Sequence, residues 1–166
     1  MTRRGGNVHK KICGITTATK DLSNGLPVRV METSCGVVLV NYGTILLLQY
    51  PQGHWDFPKG HVEEDDDDHH ATARRELAEE TGIDKIEFVE GFAERSEYSY
   101  WHRGKKKEKQ VHWYLAQTEQ LTVKLSHEHR GYMWLDWDMA EQQLSHEETT
   151  RVLQSARQYM VAAGLD

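Results

Sequence analysis

The residues in this chain best suited to chemistry are three carboxylates spaced for one face of a helix. In Arg75-Glu76-Leu77-Ala78-Glu79-Glu80-Thr81-Gly82-Ile83, Glu79 and Glu80 follow Glu76 at the third and fourth positions. At about 100° per residue all three project into an arc of roughly 100°. Like charges this close raise one another's proton affinity, unless a divalent cation among them reverses the local electrostatics. A donor set made only of oxygen suits Mg²⁺, with Mn²⁺ as a substitute, better than zinc. Gly82 is the expected left-handed residue that ends the helix, which holds the carboxylates in its last turn. A bare E-x-x-E-E is otherwise the mark of a solvated acidic helix face. The arginine before it and Thr81-Gly82 after it set this stretch apart.

The elements that must position these groups are legible around them. Asp68 or its neighbour is placed to cap a helix from about His69 to Thr81. Cys35 to Val40 and Thr44 to Tyr50 are β-branched and aliphatic runs around Asn41-Tyr42-Gly43, which predicts a hairpin buried on both faces. Leu26 to Met31 alternates weakly as an opening strand. Pro51 to Lys59 reads as a turn-rich loop and Glu63 to Asp68 as a solvated acidic run. Further strands are expected at Ile86 to Val89, Ala93 to Trp101, Val111 to Ala116 and Gly131 to Trp137, with a lysine-rich loop before the third of these. Met139 to Leu144 suggests a short turn. From Glu147, the positions Val152, Ala156, Tyr159 and Ala163 keep helical spacing. Strands between helices imply an α/β (α+β) layer architecture.

Composition agrees. A chain of 166 residues suits one domain, expected over 26–166, behind a polar extension at 1–25. It contains no apolar run long enough for a membrane span and no apolar signal core behind Arg3-Arg4, so the expected home is the cytoplasm. Cys13 and Cys35 lack metal-binding or redox spacing, and Cys35 reads as core. A net charge of −6 argues against a dedicated nucleic-acid binder but says little about a small anionic substrate. The expected state is a monomer.

Arg75 to Ile83, with Gly60 upstream, resembles the Nudix box of the Nudix hydrolases, which cleave a nucleoside diphosphate linked to another group. The resemblance implies an α/β/α sandwich with a mixed central sheet, and metal ligation by Glu76, Glu79 and Glu80 with the Gly60 carbonyl. One residue more than the family pattern separates Gly60 from Arg75. The position that braces the box arginine falls on Asp67 when counted back from Arg75, or on Asp66 when counted forward from Gly60. Asp67 is the register adopted.

Lys59 sits beside a glycine next to this array, where an ammonium would neutralise a phosphoryl oxygen as charge builds in the transition state. Trp55-Asp56-Phe57-Pro58-Lys59-Gly60-His61-Val62-Glu63 is similar to the segment of asymmetric diadenosine tetraphosphate hydrolases within the family. Leu125-Ser126-His127-Glu128-His129-Arg130-Gly131-Tyr132-Met133-Trp134-Leu135 is a second similar segment. Together these imply that Lys59 and His54 contact substrate, and that Glu128 is a further metal ligand or shares with Glu76 the role of base. They also imply that Tyr100 and Tyr132 hold adenine. Without the family, His127-Glu128-His129 is a polar loop and the tyrosines are sheet packing. One lysine of Lys105 to Lys109 is expected on phosphate, with spacing favouring Lys107. The implied activity is Mg²⁺-dependent cleavage of diadenosine tetraphosphate to ATP and AMP. The alternatives are pyrophosphohydrolysis of an RNA 5′ end or of nucleoside triphosphates, and a non-catalytic nucleotide sensor.

Overall fold

The computed structural model describes residues 31–166. The expected extension at 1–25, the strand residues before Met31, and Cys13 lie outside the described residues. The chain runs β1 (Met31–Asn41), β2 (Thr44–Gln49), β3 (Trp55–Asp56), β4 (Lys59–His61), α1 (His69–Thr81), β5 (Glu87–Phe88), β6 (Glu94–His102), β7 (Lys105–Gln117), β8 (Gly131–Asp136), α2 (Trp137–Gln143) and α3 (Glu147–Ala163).

β1 and β7 form the spine of a mixed sheet. They pair in parallel from Met31↔Glu108 to Val40↔Gln117, while every other pairing is antiparallel. The two-residue turn Tyr42-Gly43 has positive φ at both positions, as a tight hairpin requires. The β1–β2 ladder is nevertheless short, because β1 leaves β2 after Val40↔Ile45 and pairs with β4 instead. That exchange of partner brings Lys59-Gly60-His61 into the sheet, directly at the end of the stretch expected as loop.

Alternation along the strands sends side chains to two cores. Val38, Val40, Ile45, Leu47, Trp113 and Leu115 pack with Val152, Leu153, Ala156 and Met160 of α3. Cys35, Val37, Leu39, Leu46, Leu48 and Ala116 pack with Ala73 and Leu77 of α1. Each fully buried aliphatic side chain contributes about 1.5–3 kcal/mol, enough to fix the rotation of α1 about its axis. This is the α/β/α sandwich. Cys35 is core as expected, and burial pushes its thiol up to about 12.

Two corrections concern elements. The lysine-rich stretch is not a loop but the first half of β7, paired residue by residue with β6. The turn at Met139–Leu144 belongs to α2, capped by the Asp136 carboxylate accepting from the Met139 N–H at 2.8 Å.

Candidate active site

α1 delivers the carboxylates. The Asp68 side chain accepts from the Ala71 N–H and starts the helix; Gly82, at φ 71°, donates to the Ala78 carbonyl and ends it. Beyond Gly82 the chain folds back, and the Lys124 and Ser126 N–H groups donate to the Thr81 and Glu80 carbonyls at 2.8 and 2.9 Å. These bonds satisfy helix-end acceptors and dock the loop carrying Glu128 beside the acidic turn.

The three glutamates have different surroundings. Glu79 is 60% exposed and 3.4 Å from Arg75. Glu76 is largely buried; its Oε1 accepts from Arg75 Nη1 at 3.0 Å, yet burial raises its pKa despite that partner. Glu80 is 4% exposed and accepts from the Lys59 backbone N–H at 3.2 Å. Burial, then the Glu76 charge, pushes it up to about 8. Gly60 is what lets Glu76 lie here, because a Cβ built on Gly60 would overlap the Glu76 carboxylate. The pattern glycine and helical glutamate thus correspond to one close contact between β4 and α1.

The brace of Arg75 is Asp66, not Asp67. Asp66 Oδ1 and Oδ2 accept from Arg75 Nε and Nη2, both at 2.8 Å, and Nη2 also donates to the His61 carbonyl at 2.9 Å. Asp66 accepts as well from the Glu63 N–H and the Thr72 hydroxyl. The inserted residue is taken up between Asp66 and the helix, so the forward count from Gly60 gives the working register.

Lys59 is placed differently from expectation. Its Nζ donates to Asp56 Oδ2 at 2.7 Å and to the Tyr50 hydroxyl at 3.2 Å, and its side chain is 10% exposed. It also lies 4.3 Å from the Tyr50 ring centroid. Its ammonium is therefore bound inside the wall of the site. Lys107 is likewise engaged, 3.5 Å from Glu32. Glu32 also accepts from the Tyr100 hydroxyl at 2.6 Å and lies 3.7 Å from His61.

Lys109 is one of the four lysines held as phosphate candidates, among which spacing favours Lys107. It pairs across β6–β7 with Tyr98 and beside Glu32 on β1. Burial and the nearby Lys59 charge lower its pKa to about 8. Strand alternation carries the signal, since Lys107 and Lys109 share a face, but only the register shows which is the inner one.

Tyr132 and Tyr100 do not face one another. Tyr132 pairs with Leu48, on the α1 side of the sheet, whereas Tyr100 pairs with Lys107, in the alternation that carries Trp113 to the other side. Placed on different faces, they do not hold one adenine between them. The aromatic stack actually present is His54 on Tyr50, centroids 4.8 Å apart and 12° from parallel, with His146 5.2 Å from His54 and His129 edge-on to Tyr50. Burial keeps His54 and His129 below the ordinary imidazole range. His129 Nε2 is 3.6 Å from Glu80 and is buried without a hydrogen-bond partner.

The donor set fits a hard cation: oxygen ligands only, with two carboxylates whose proton affinity is raised by burial and by neighbouring carboxylate charges. Among the described residues no group of three ligands is already converged, because Glu79 is turned to Arg75. A surface cavity of about 1290 Å³ lies elsewhere, at the β1–β2 turn and the end of α3, and none of these carboxylates lines it.

Comparison with known proteins gives the family and the fold. The bis(5′-nucleosyl)-tetraphosphatase [asymmetrical] of Sus scrofa is 40% identical over 121 residues, 69% of this chain and 79% of that protein. The protein of the same name from Rattus norvegicus is 41% identical over the same shares. A crystal structure of a C. elegans Ap4A hydrolase binary complex superposes with a TM-score of 0.70 at 29% identity, covering 80% of this chain and 99% of that one. The NUDIX domain model matches residues 31–155. With its box, its sandwich and these relatives, the chain belongs to the Nudix family of hydrolases.

Proposed function

We propose that this protein hydrolyses dinucleoside polyphosphates, cleaving diadenosine tetraphosphate asymmetrically to ATP and AMP. The observation that carries the reading is the pair Glu76 and Glu80, largely buried at the end of α1 with their proton affinity raised by that burial. The tetraphosphate as substrate follows from the names of the relatives.

Glu76, Glu79 and Glu80, with the Gly60 carbonyl, would hold Mg²⁺, which when bound polarises phosphoryl oxygens and lowers the pKa of bound water. Glu128 perturbs Glu80 electrostatically and its carboxylate has no hydrogen-bond partner among the described residues, so it is the freer base to take the proton of the attacking water. Glu76, held by Arg75, is the ligand instead. Lys109 meets the phosphate chain as a cation with no bound carboxylate. Lys59 contributes its charge at longer range and fixes Asp56 and Tyr50, while its N–H orients Glu80. His54, the outer ring of the stack on Tyr50, offers a face to a base.

Chromatography of the products from diadenosine tetraphosphate with Mg²⁺ tests this. ATP plus AMP supports the reading; two molecules of ADP would show symmetric cleavage and overturn it. Saturable binding with no product at all would make the chain a nucleotide sensor.

A further inference from the structure

Glu32, near the start of β1, stands where the parallel β1–β7 pairing meets β4. It registers with Lys109, and two residues further along β1 Ser34 pairs with His61. Three donors converge on its carboxylate. The Tyr100 hydroxyl donates to Oε2 at 2.6 Å, Lys107 Nζ lies 3.5 Å from Oε1, and His61 Nε2 lies 3.7 Å from Oε2. A hydroxyl, an ammonium and an imidazole thus reach one carboxylate from β6, β7 and β4. The same three groups would suit a phosphoryl oxygen. The Tyr100 bond, and then Lys107, hold Glu32 below the ordinary carboxylate value despite its burial, so it is an anion at neutral pH.

The position of this anion is what calls for a role. Tyr100 and Lys107 form the rung next outward from Tyr98 and Lys109, about 6.8 Å along the strands. The Lys107 and His61 side chains are 44% and 45% exposed, so a solute can reach both. A polyanion that extends past Lys109 on this face meets Glu32 next, already bonded to the donors it would use. Partly exposed ion pairs add little to folding, and this one offsets a cation on a face that must attract phosphate.

We propose that Glu32 is a specificity-determining residue that limits the length of the phosphate chain, by occupying as an internal anion the subsite of Tyr100, Lys107 and His61. This rests on the dinucleoside polyphosphate reading above and adds to it a preference for the tetraphosphate over longer chains. A chain that ends at Lys109 leaves the Glu32 contacts in place. A longer one must displace the carboxylate from Tyr100 and Lys107 or stop beside it, and like charges a few ångström apart repel enough to change binding about tenfold.

The test measures equilibrium binding of diadenosine tetra-, penta- and hexaphosphate by calorimetry with Mg²⁺. A Glu76→Gln background slows hydrolysis, and on it Glu32→Gln, Lys107→Met and their combination are compared. Glutamine keeps an acceptor for the Tyr100 hydroxyl and removes only the charge. Glu32→Gln is expected to tighten the hexaphosphate about tenfold, to tighten the pentaphosphate less, and to leave the tetraphosphate nearly unchanged. The gain should shrink with added salt, and Lys107→Met should remove most of it, because the released ammonium is what the longer chain uses. An equal gain at all three lengths would show that Glu32 only shapes the site, and would overturn the proposal. So would no gain at any length, or a gain undiminished by Lys107→Met. Product chromatography with Glu76 intact runs alongside. Absence of ATP and AMP there, with the length-dependent gain still present, would remove the hydrolysis reading and leave the role of Glu32 in binding standing.

Discussion

The side chains of Asp66 and Glu80 are each 6% exposed, Asp66 near the surface and Glu80 deeper in the protein, and their proton affinities shift in opposite directions. Asp66 meets the Arg75 guanidinium in a two-bond fork and two further donors, which hold it well below the ordinary carboxylate range. Glu80 has one backbone N–H and a neighbouring carboxylate, and burial pushes it up to about 8. Burial dominates at Glu80 and the Arg75 fork dominates at Asp66. What differs is whether the fold supplies the opposite charge or leaves it to be supplied. The loop end of the site is thus neutralised by the fold itself, whereas Glu80 at the α1 end has no guanidinium or ammonium bonded to it among the described residues.

The widest test of that contrast is to remove the charge. Glu76→Gln and Glu80→Gln are each expected to lower kcat by about 10²–10³-fold with Mg²⁺, the scale set by losing one preorganised electrostatic group. The same substitution at Glu80 should stabilise the metal-free protein at alkaline pH. Because the folded pKa is raised, the fold keeps its full stability below the ordinary carboxylate range and loses it as pH rises toward about 8. Thermal melting of the chelator-treated protein should therefore fall with rising pH, recover with Mg²⁺, and flatten in Glu80→Gln. A flat profile in the wild type would mean that Glu80 is compensated by the protein itself.

Gly60→Ala breaks the same region sterically. The added Cβ overlaps the Glu76 carboxylate, which must swing away from β4. A displacement near 1 Å at a catalytic group costs about a hundredfold in turnover. Retained melting temperature with wild-type activity would show that Glu76 need not lie over Gly60.

The finished half is tested by paired variants. Asp66→Asn removes the charged partner of the partly buried Arg75 guanidinium and should cost about 2 kcal/mol, whereas Asp67→Asn should stay within about 0.5 kcal/mol of wild type. Asp66 has a depressed pKa, so its contribution is present above the ordinary carboxylate range and is lost on acidification, the reverse of Glu80. Urea unfolding of both variants at neutral and acid pH checks the pair. Equal losses would mean that the inserted residue leaves both registers in use.

How much of this was legible beforehand follows from the range of the interactions. α1 lies where its cap residue and Gly82 place it, because capping is chemistry between neighbours in sequence. The hairpin turn is local too. The brace was read in the wrong register because two counts around one insertion are equivalent until the Arg75 fork selects Asp66. Lys59 was read as free because Asp56 and Tyr50 become its partners only when β3 pairs with β2. The lysines of β7 were read as loop because polar side chains on an edge ladder give no hydrophobic alternation, so pairing with β6 leaves no trace in the pattern. Tyr100 and Tyr132 share a residue type but not a sheet face, and the face depends on register across five strands.

The smallest effect separates the lysines. If Lys109 is the cation that the fold leaves unpaired, Lys109→Met should raise KM for the tetraphosphate about tenfold, one charge-assisted hydrogen bond's worth, with kcat nearly unchanged. Lys107→Met should do less, because its ammonium is already shared with Glu32. The pH profile gives a second signature. Lys109 is lowered to about 8 by burial and by Lys59, so its charge is present below that pH and lost above it. In the free enzyme this predicts an alkaline fall in kcat/KM centred near about 8, which Lys109→Met abolishes and Lys107→Met preserves. Should Lys107→Met remove that limb while Lys109→Met leaves it intact, the inner rung would not be the phosphate contact, and the charge facing Glu76 and Glu80 would have to come from further out along the hairpin.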